Sequence, residues 1–140
     1  DCKLVLPLDI VCAETLHYTK EAKTFGIDCC PTDKMILDLG QQSQKKIMDT
    51  INKSKTLIWN GPLGAFETRP FDQGTNNIAN YAANRTSKKQ LISIAGGGDT
   101  VSALKTSASI SKFSYVSTAG GAFLEWLEGK SLPGIESLKI

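Results

Sequence analysis

Histidine is nearly absent from this sequence, and arginine almost as scarce. His17 is the single histidine, and of 16 basic residues only Arg69 and Arg85 are arginine. One imidazole in a polar stretch, far from any glycine-flanked serine, excludes a serine–histidine–acid hydrolase. Two separated arginines exclude an arginine clamp for a polyanion. The lysines are scattered rather than striped and the net charge is only +2, which argues against a nucleic-acid surface. No apolar run approaches the ~18 residues of a membrane span, and no stretch reads as a signal peptide. The four cysteines (Cys2, Cys12, Cys29 and Cys30) show no Cys-x-x-Cys spacing, and with a lone histidine they offer no zinc site. Free thiols and a reducing, cytoplasmic setting are the expectation.

What the sequence does have is an ordinary globular balance of 41% hydrophobic and 21% charged residues over 140 positions, enough for one domain with a core. Its organising stretch is Leu91-Ile92-Ser93-Ile94-Ala95-Gly96-Gly97-Gly98-Asp99-Thr100-Val101. The β-branched run reads as a buried strand of a parallel sheet. Three glycines follow, then Asp99 and Thr100 as candidate N-caps, then helical spacing from Val101. A strand that turns through glycines into a helix aims free backbone N–H groups and the positive end of a helix dipole at one spot, which suits phosphate. The dinucleotide fingerprint fails here: Val101 holds its sixth position, and the acid expected about 20 residues on is missing. No lysine follows the glycines, so a P-loop fails too. A carboxylate facing phosphates implies a hard cation between them, although Asp99 read by itself also fits a plain helix cap.

The same order recurs along the chain. Residues 4–11 are strand-like, with Pro7 marking an edge or bulge. Residues 13–34 read as a loop or weak hairpin, and Met35-Ile36-Leu37-Asp38-Leu39-Gly40 as a short strand and turn. A helix is expected over 43–53, a strand at Thr56-Leu57-Ile58-Trp59, and a helix over about 71–85. The helix after the glycine stretch runs to about Ser109. A further strand covers 113–117, with a turn at Thr118-Ala119-Gly120-Gly121 and a helix over 122–128. Gly129 and Pro133 end that helix as C-cap and breaker. Strand, glycine turn and helix therefore occur three times, after Trp59, Ala95 and Ser117. In a parallel doubly wound sheet these turns share the carboxyl edge. The expected fold is α/β: part of a doubly wound, Rossmann-like sheet in a three-layer αβα arrangement. Three glycine turns on one edge point to a phosphate-bearing ligand.

These motifs resemble a known family. Trp59-Asn60-Gly61-Pro62-Leu63-Gly64-Ala65-Phe66-Glu67 is similar to the Trp-Asn-Gly-Pro-x-Gly-x-Phe-Glu motif of phosphoglycerate kinases. Gly96-Gly97-Gly98-Asp99-Thr100 resembles their Gly-Gly-Gly-Asp-Thr loop. Ser117-Thr118-Ala119-Gly120-Gly121-Ala122 resembles their Ser-Thr-Gly-Gly-Gly-Ala turn, and the ending with Leu127-Glu128-Gly129-Lys130 and Leu132-Pro133-Gly134 matches as well. The family is a two-domain, hinge-closing phosphotransferase acting between 1,3-bisphosphoglycerate and ADP in glycolysis, with a carboxyl group as acceptor.

The resemblance implies roles for particular residues. Asp99 holds Mg2+ riding on ADP or ATP, while Thr100 and the Gly96, Gly97 and Gly98 loop take the nucleotide phosphates. Glu67 bonds the ribose hydroxyls, as a carboxylate suits a diol. Asn60 lies near the phosphates and Pro62 along the nucleotide. Gly120 and Gly121 present a helix N-terminus to the phosphoryl group in flight. Ile36 stands where many members carry a glycine against the adenine, and its branched side chain narrows that pocket. Ala119 replaces a usual glycine and is strained if the backbone needs a positive φ.

The resemblance also implies a fragment truncated at its N-terminal side. Residues 1–131 match the later part of the nucleotide-binding domain, and 132–140 the tail that packs on the other domain. The chain opens on Asp1 without an initiator methionine, and none of its lysines lies in a matching motif. The substrate-side arginines and histidine belong to the first domain. The expectation is therefore an active, monomeric parent kinase and an inactive isolated piece, with no nucleic-acid or membrane partner. An open sheet edge and an undocked tail at Leu132, Ile135, Leu138 and Ile140 imply poor solubility and low thermal stability. The rivals are a nicotinamide-dependent Rossmann oxidoreductase, which fails on the fingerprint, and a non-catalytic phosphate-binding module.

Overall fold

The computed structural model describes residues 2–138. Its strands form two three-stranded sheets. The first joins β1 (Asp9–Ala13), β2 (Lys23–Gly26) and β3 (Met35–Leu39) in the antiparallel order β2-β1-β3. The second joins β4 (Thr56–Asn60), β5 (Ile92–Gly96) and β6 (Tyr115–Ser117) in parallel, in chain order. The helices are α1 (Gln41–Lys53), α2 (Gln73–Ser87), α3 (Gly98–Thr106), α4 (Gly120–Leu127) and the short α5 (Pro133–Glu136). Among the described residues no helix is long and apolar enough to cross a membrane.

The α/β class and the parallel sheet agree with the sequence reading, and the first forty residues add to it. No α-helix spans the connection from β1 to β3, and parallel neighbours usually need such a crossover. The two strands instead pair antiparallel, and 23–26 closes back on β1 as the weak hairpin. The strand-like run at 4–11 shrinks to a start at Asp9, because Leu4, Leu6 and Leu8 face solvent.

A buried acid fastens β1 to the start of α1. Asp9 accepts the N–H groups of Gln42 (3.1 Å) and Ser43 (2.7 Å) and the Ser43 hydroxyl (2.7 Å) at the start of α1. Burial pushes this carboxyl up, but those donors outweigh it and hold Asp9 below the usual carboxylate value. Its contribution to stability is therefore lost as the pH falls.

One face of the parallel sheet carries the main core. Ile51, Trp59, Ile78, Leu91, Leu104 and Phe113 meet there, and alanines 79, 82 and 83 let α2 approach the strands closely. Trp59 is a core residue, as read from the sequence, and its ring centroid lies 6.2 Å from that of Phe113. The opposite face carries Ile58, Ile92, Ile94 and Tyr115. There Phe123 of α4 packs beside Tyr115, and Ile58, Ile92 and Tyr115 all stay about half exposed. Beside α4 the apolar side chains Phe123, Trp126, Leu132 and Ile135 border an open cavity of about 540 Å³. Leu138 in the tail is exposed, and Ile140 lies outside the described residues.

Candidate functional site

The three glycine turns are brought to one place by strand register. Asn60 pairs with Gly96, and Gly96 with Ser117, so the last residues of β4, β5 and β6 stand side by side. Beyond them the chains converge on Gly97. A Cβ built on Gly97 would lie 3.5 Å from Asn60 Oδ1 and 3.5 Å from Thr100 Oγ1. A Cβ on Gly120 would lie 2.8 Å from Gly97 Cα, closer than real Cβ atoms come. Gly97 also has φ +97° and ψ 143°, a conformation essentially confined to glycine. Glycine is therefore demanded at Gly97 by backbone conformation and at Gly120 by close approach.

Two helix N-termini open into this cradle. The first helical bond of α3 is Val101 N–H to Gly97 C=O, so the N–H groups of Gly98, Asp99 and Thr100 precede it. The first of α4 is Phe123 N–H to Ala119 C=O, leaving those of Gly120, Gly121 and Ala122 ahead of it. Unsatisfied donors and two converging dipoles make positive potential without a lysine or arginine.

Neither Asp99 nor Thr100 caps α3, and this corrects the capping expectation. Gly97 is the N-cap residue, and the helix begins at Gly98 rather than Val101. Asp99 sits exposed in the first turn and, among the described residues, has no hydrogen-bond or ion-pair partner. Thr100 turns inward, is 1% exposed, and its hydroxyl accepts the Gly61 N–H at 2.6 Å. Ala119 has φ −94°, so the alanine there meets no left-handed strain.

The loop after β4 is caught at alternate residues by three elements. Gly61 N–H goes to Thr100 on α3, Leu63 N–H to the Thr75 hydroxyl on α2 (3.0 Å), and Ala65 N–H to the Leu37 carbonyl on β3 (2.8 Å). The Trp59 indole N–H holds the Gly61 carbonyl at 2.5 Å. Pro62 lies within this anchored stretch, and Glu67 is exposed beyond it. Ile36, about half exposed on β3, borders a cleft of about 300 Å³ with Leu63, Gly64 and Ala65. The cradle thus unites Asn60, Gly96, Gly97, Thr100 and Gly120, with Gly98, Asp99 and Gly121 in the adjoining first turns. Ile36, Pro62 and Glu67 belong to the flanking loop and cleft.

Sequence reasoning missed Asp38 and Thr75. Asp38 is 3% exposed on β3 and accepts the N–H groups of Gly74 (2.8 Å) and Leu39 (2.8 Å). A Cβ on Gly64 or Gly74 would come within 2.4 and 2.3 Å of its Oδ1, so both glycines make room for this carboxylate. Burial pushes the Asp38 carboxyl up to about 6, against the pull of the Gly74 and Leu39 donors, and the nearby Asp72 adds to the rise. Between the ordinary 3.8 and about 6 the folded chain therefore binds more protons than the unfolded chain. That contribution to stability is present below the lower value and is lost as the pH rises through the upper one. Thermal melts across this interval should fall with pH more steeply for the wild type than for Asp38→Asn. Parallel profiles would refute the assignment.

Comparison with known proteins identifies relatives of the chain. The family model described as phosphoglycerate kinase matches residues 1–130. A phosphoglycerate kinase of Chelativorans sp. is 52% identical over 138 residues, covering 99% of this chain and 35% of that protein. One from Bradyrhizobium diazoefficiens is 53% identical over 140 residues, covering 100% and 35%. Among solved structures, phosphoglycerate kinase from Coxiella burnetii superposes with a TM-score of 0.84 at 41% identity, over 94% of this chain and 33% of that one. The enzyme from Pyrococcus horikoshii gives 0.71 at 25% identity, over 95% and 32%. The chain spans about a third of the length of these relatives.

Proposed function

The chain belongs to the phosphoglycerate kinase family, and from that premise we propose that it is the segment holding Mg2+-bound ADP or ATP by the phosphates. The meeting of three strand–glycine–helix turns at Gly97 carries the reading. Phosphoryl transfer asks a protein chiefly for positioning and for positive potential around a highly charged transition state. Two helix N-termini aimed at one spot supply both.

In this reading the backbone N–H groups of Gly97, Gly98 and Thr100 take the nucleotide phosphates, and the Asn60 side chain borders them. The Thr100 hydroxyl ties α3 to the loop. Gly120 and Gly121 face the phosphoryl group being transferred. Asp99, exposed and unpartnered beside the free donors, fits a Mg2+ ligand. Among the described residues no three His, Cys, Asp or Glu side chains cluster to hold a metal, so Asp99 would hold the cation as its protein ligand beside the nucleotide phosphates. Bound Mg2+ neutralises charge on the phosphate oxygens. Glu67 accepts the ribose hydroxyls, and Pro62 and Ile36 lie along the base, with the cleft between Ile36 and Ala65 receiving it. The complete enzyme moves a phosphoryl group between 1,3-bisphosphoglycerate and ADP. The substrate-side arginines implied by the family have no counterpart in this chain, which is inactive alone.

Titration of the 15N-labelled chain with Mg-ADP to millimolar concentration tests the assignment. Shifts should concentrate at the amides of Gly97, Gly98, Thr100, Gly120 and Gly121. Shifts centred on another face, or none, would overturn it. Calorimetry should give an affinity well below that of an intact family kinase, because the chain supplies only part of the pocket wall.

A further inference from the structure

Independently of that reading, we propose that Asn60-Gly61 is a latent deamidation site held closed by the Thr100 hydroxyl. Of the six asparagines in the sequence, only Asn60 precedes a glycine. Glycine has no side chain to hinder attack by its own backbone nitrogen. In the reaction, the Gly61 nitrogen gives up its proton and bonds to Asn60 Cγ, closing a five-membered succinimide. The side-chain nitrogen leaves as ammonia. Water then opens the ring at either carbonyl and leaves an aspartyl or isoaspartyl residue at position 60.

The structure obstructs this chemistry at its nucleophile. The Gly61 N–H is held at 2.6 Å by Thr100 Oγ1, a buried acceptor. Losing that proton means giving up a part-buried hydrogen bond. Asn60 is also the last residue of β4 and in register with Gly96, so the backbone rotation that brings nitrogen to Cγ breaks the end of a ladder. The Asn60 side chain itself is exposed and not otherwise protected. The remaining asparagines (52, 76, 77, 80 and 84) lie in α1 and α2 without a following glycine and serve as internal controls. Opening of the α3 start, rather than global unfolding, is what releases the site. Conversion would place a carboxylate at position 60, in register with Gly96 and close to Gly97.

The test follows isoaspartate and the accompanying mass gain by peptide mapping of the whole chain aged in mildly alkaline buffer. Thr100→Val keeps the shape and removes the acceptor. It should speed conversion at position 60 about tenfold, the equivalent of one such hydrogen bond. Thr100→Ser, which keeps the hydroxyl, should restore the slow rate, and the other five asparagines should be unchanged in all three proteins. Equal rates in wild type and a folded Thr100→Val, or failure of serine to rescue, would overturn the proposal. If the valine variant does not fold, hydrogen exchange at the Gly61 amide of the wild type decides. Slow exchange supports the lock, and exchange at an open-chain rate rules it out.

Discussion

Asp99→Asn, made in a family kinase containing this segment, is expected to lower magnesium-dependent turnover by on the order of a thousandfold. The expectation rests on the reading of Asp99 as the metal's protein ligand. Among the described residues the carboxylate has no partner, so its removal leaves no protein group unpaired. Folding should barely change, since the residue is exposed and α3 is capped by Gly97. The loss should therefore appear in turnover and in the magnesium requirement, with an unaltered melting temperature. A non-catalytic phosphate cradle predicts the reverse: without the carboxylate, anion binding stays the same or tightens. Measuring turnover against magnesium, together with ADP affinity with and without the metal, separates the two. Full activity in the asparagine variant would remove Asp99 from the mechanism.

Gly120→Ala should be nearly as damaging, for a steric reason. The added methyl would sit 2.8 Å from Gly97 Cα. The obstacle is backbone rather than the tip of a flexible side chain, and both residues belong to turns fixed by strand register. The two helix starts must move apart, and such overpacking costs about 1–3 kcal/mol of stability. A displacement approaching 1 Å at a phosphoryl-transfer site costs about a hundredfold in rate. Gly121→Ala makes a matched control for packing, because nothing in the protein lies within 4 Å of a Cβ at that position. Thermal melts of the two variants in the complete kinase should diverge sharply. If both melt alike, the close approach of α4 to Gly97 carries no steric penalty.

The parallel sheet and the gathering of its glycine turns on one edge were legible in the sequence because each unit carries its signal locally. A β-branched run followed at once by glycine marks where a strand stops, and the stops at Asn60, Gly96 and Ser117 fall in register. The start of α3 was misplaced because Asp99 and Thr100 have cap-forming side chains. The positive φ of Gly97 moves the boundary back, and Thr100 is then carried inward to Gly61. Asp38 left no local signal, since a single acid in an apolar strand does not announce its neighbours. Its role depends on Gly64 and Gly74, positions that only the folded chain brings beside it. Thr75 is similar: its hydroxyl serves Leu63, on a loop that precedes its own helix. The antiparallel pairing of β1 with β3 depended on an intervening stretch with little periodicity.

The stitching of residues 61, 63 and 65 to α3, α2 and β3 has a thermodynamic consequence for any ligand that uses this turn. Its backbone is immobilised when the chain folds, so little disorder remains to be surrendered on association. Affinity gained there is nearly free of a conformational penalty. Calorimetry should accordingly assign the entropic cost of capture to the ligand and to side chains beyond the stitches, Glu67 foremost.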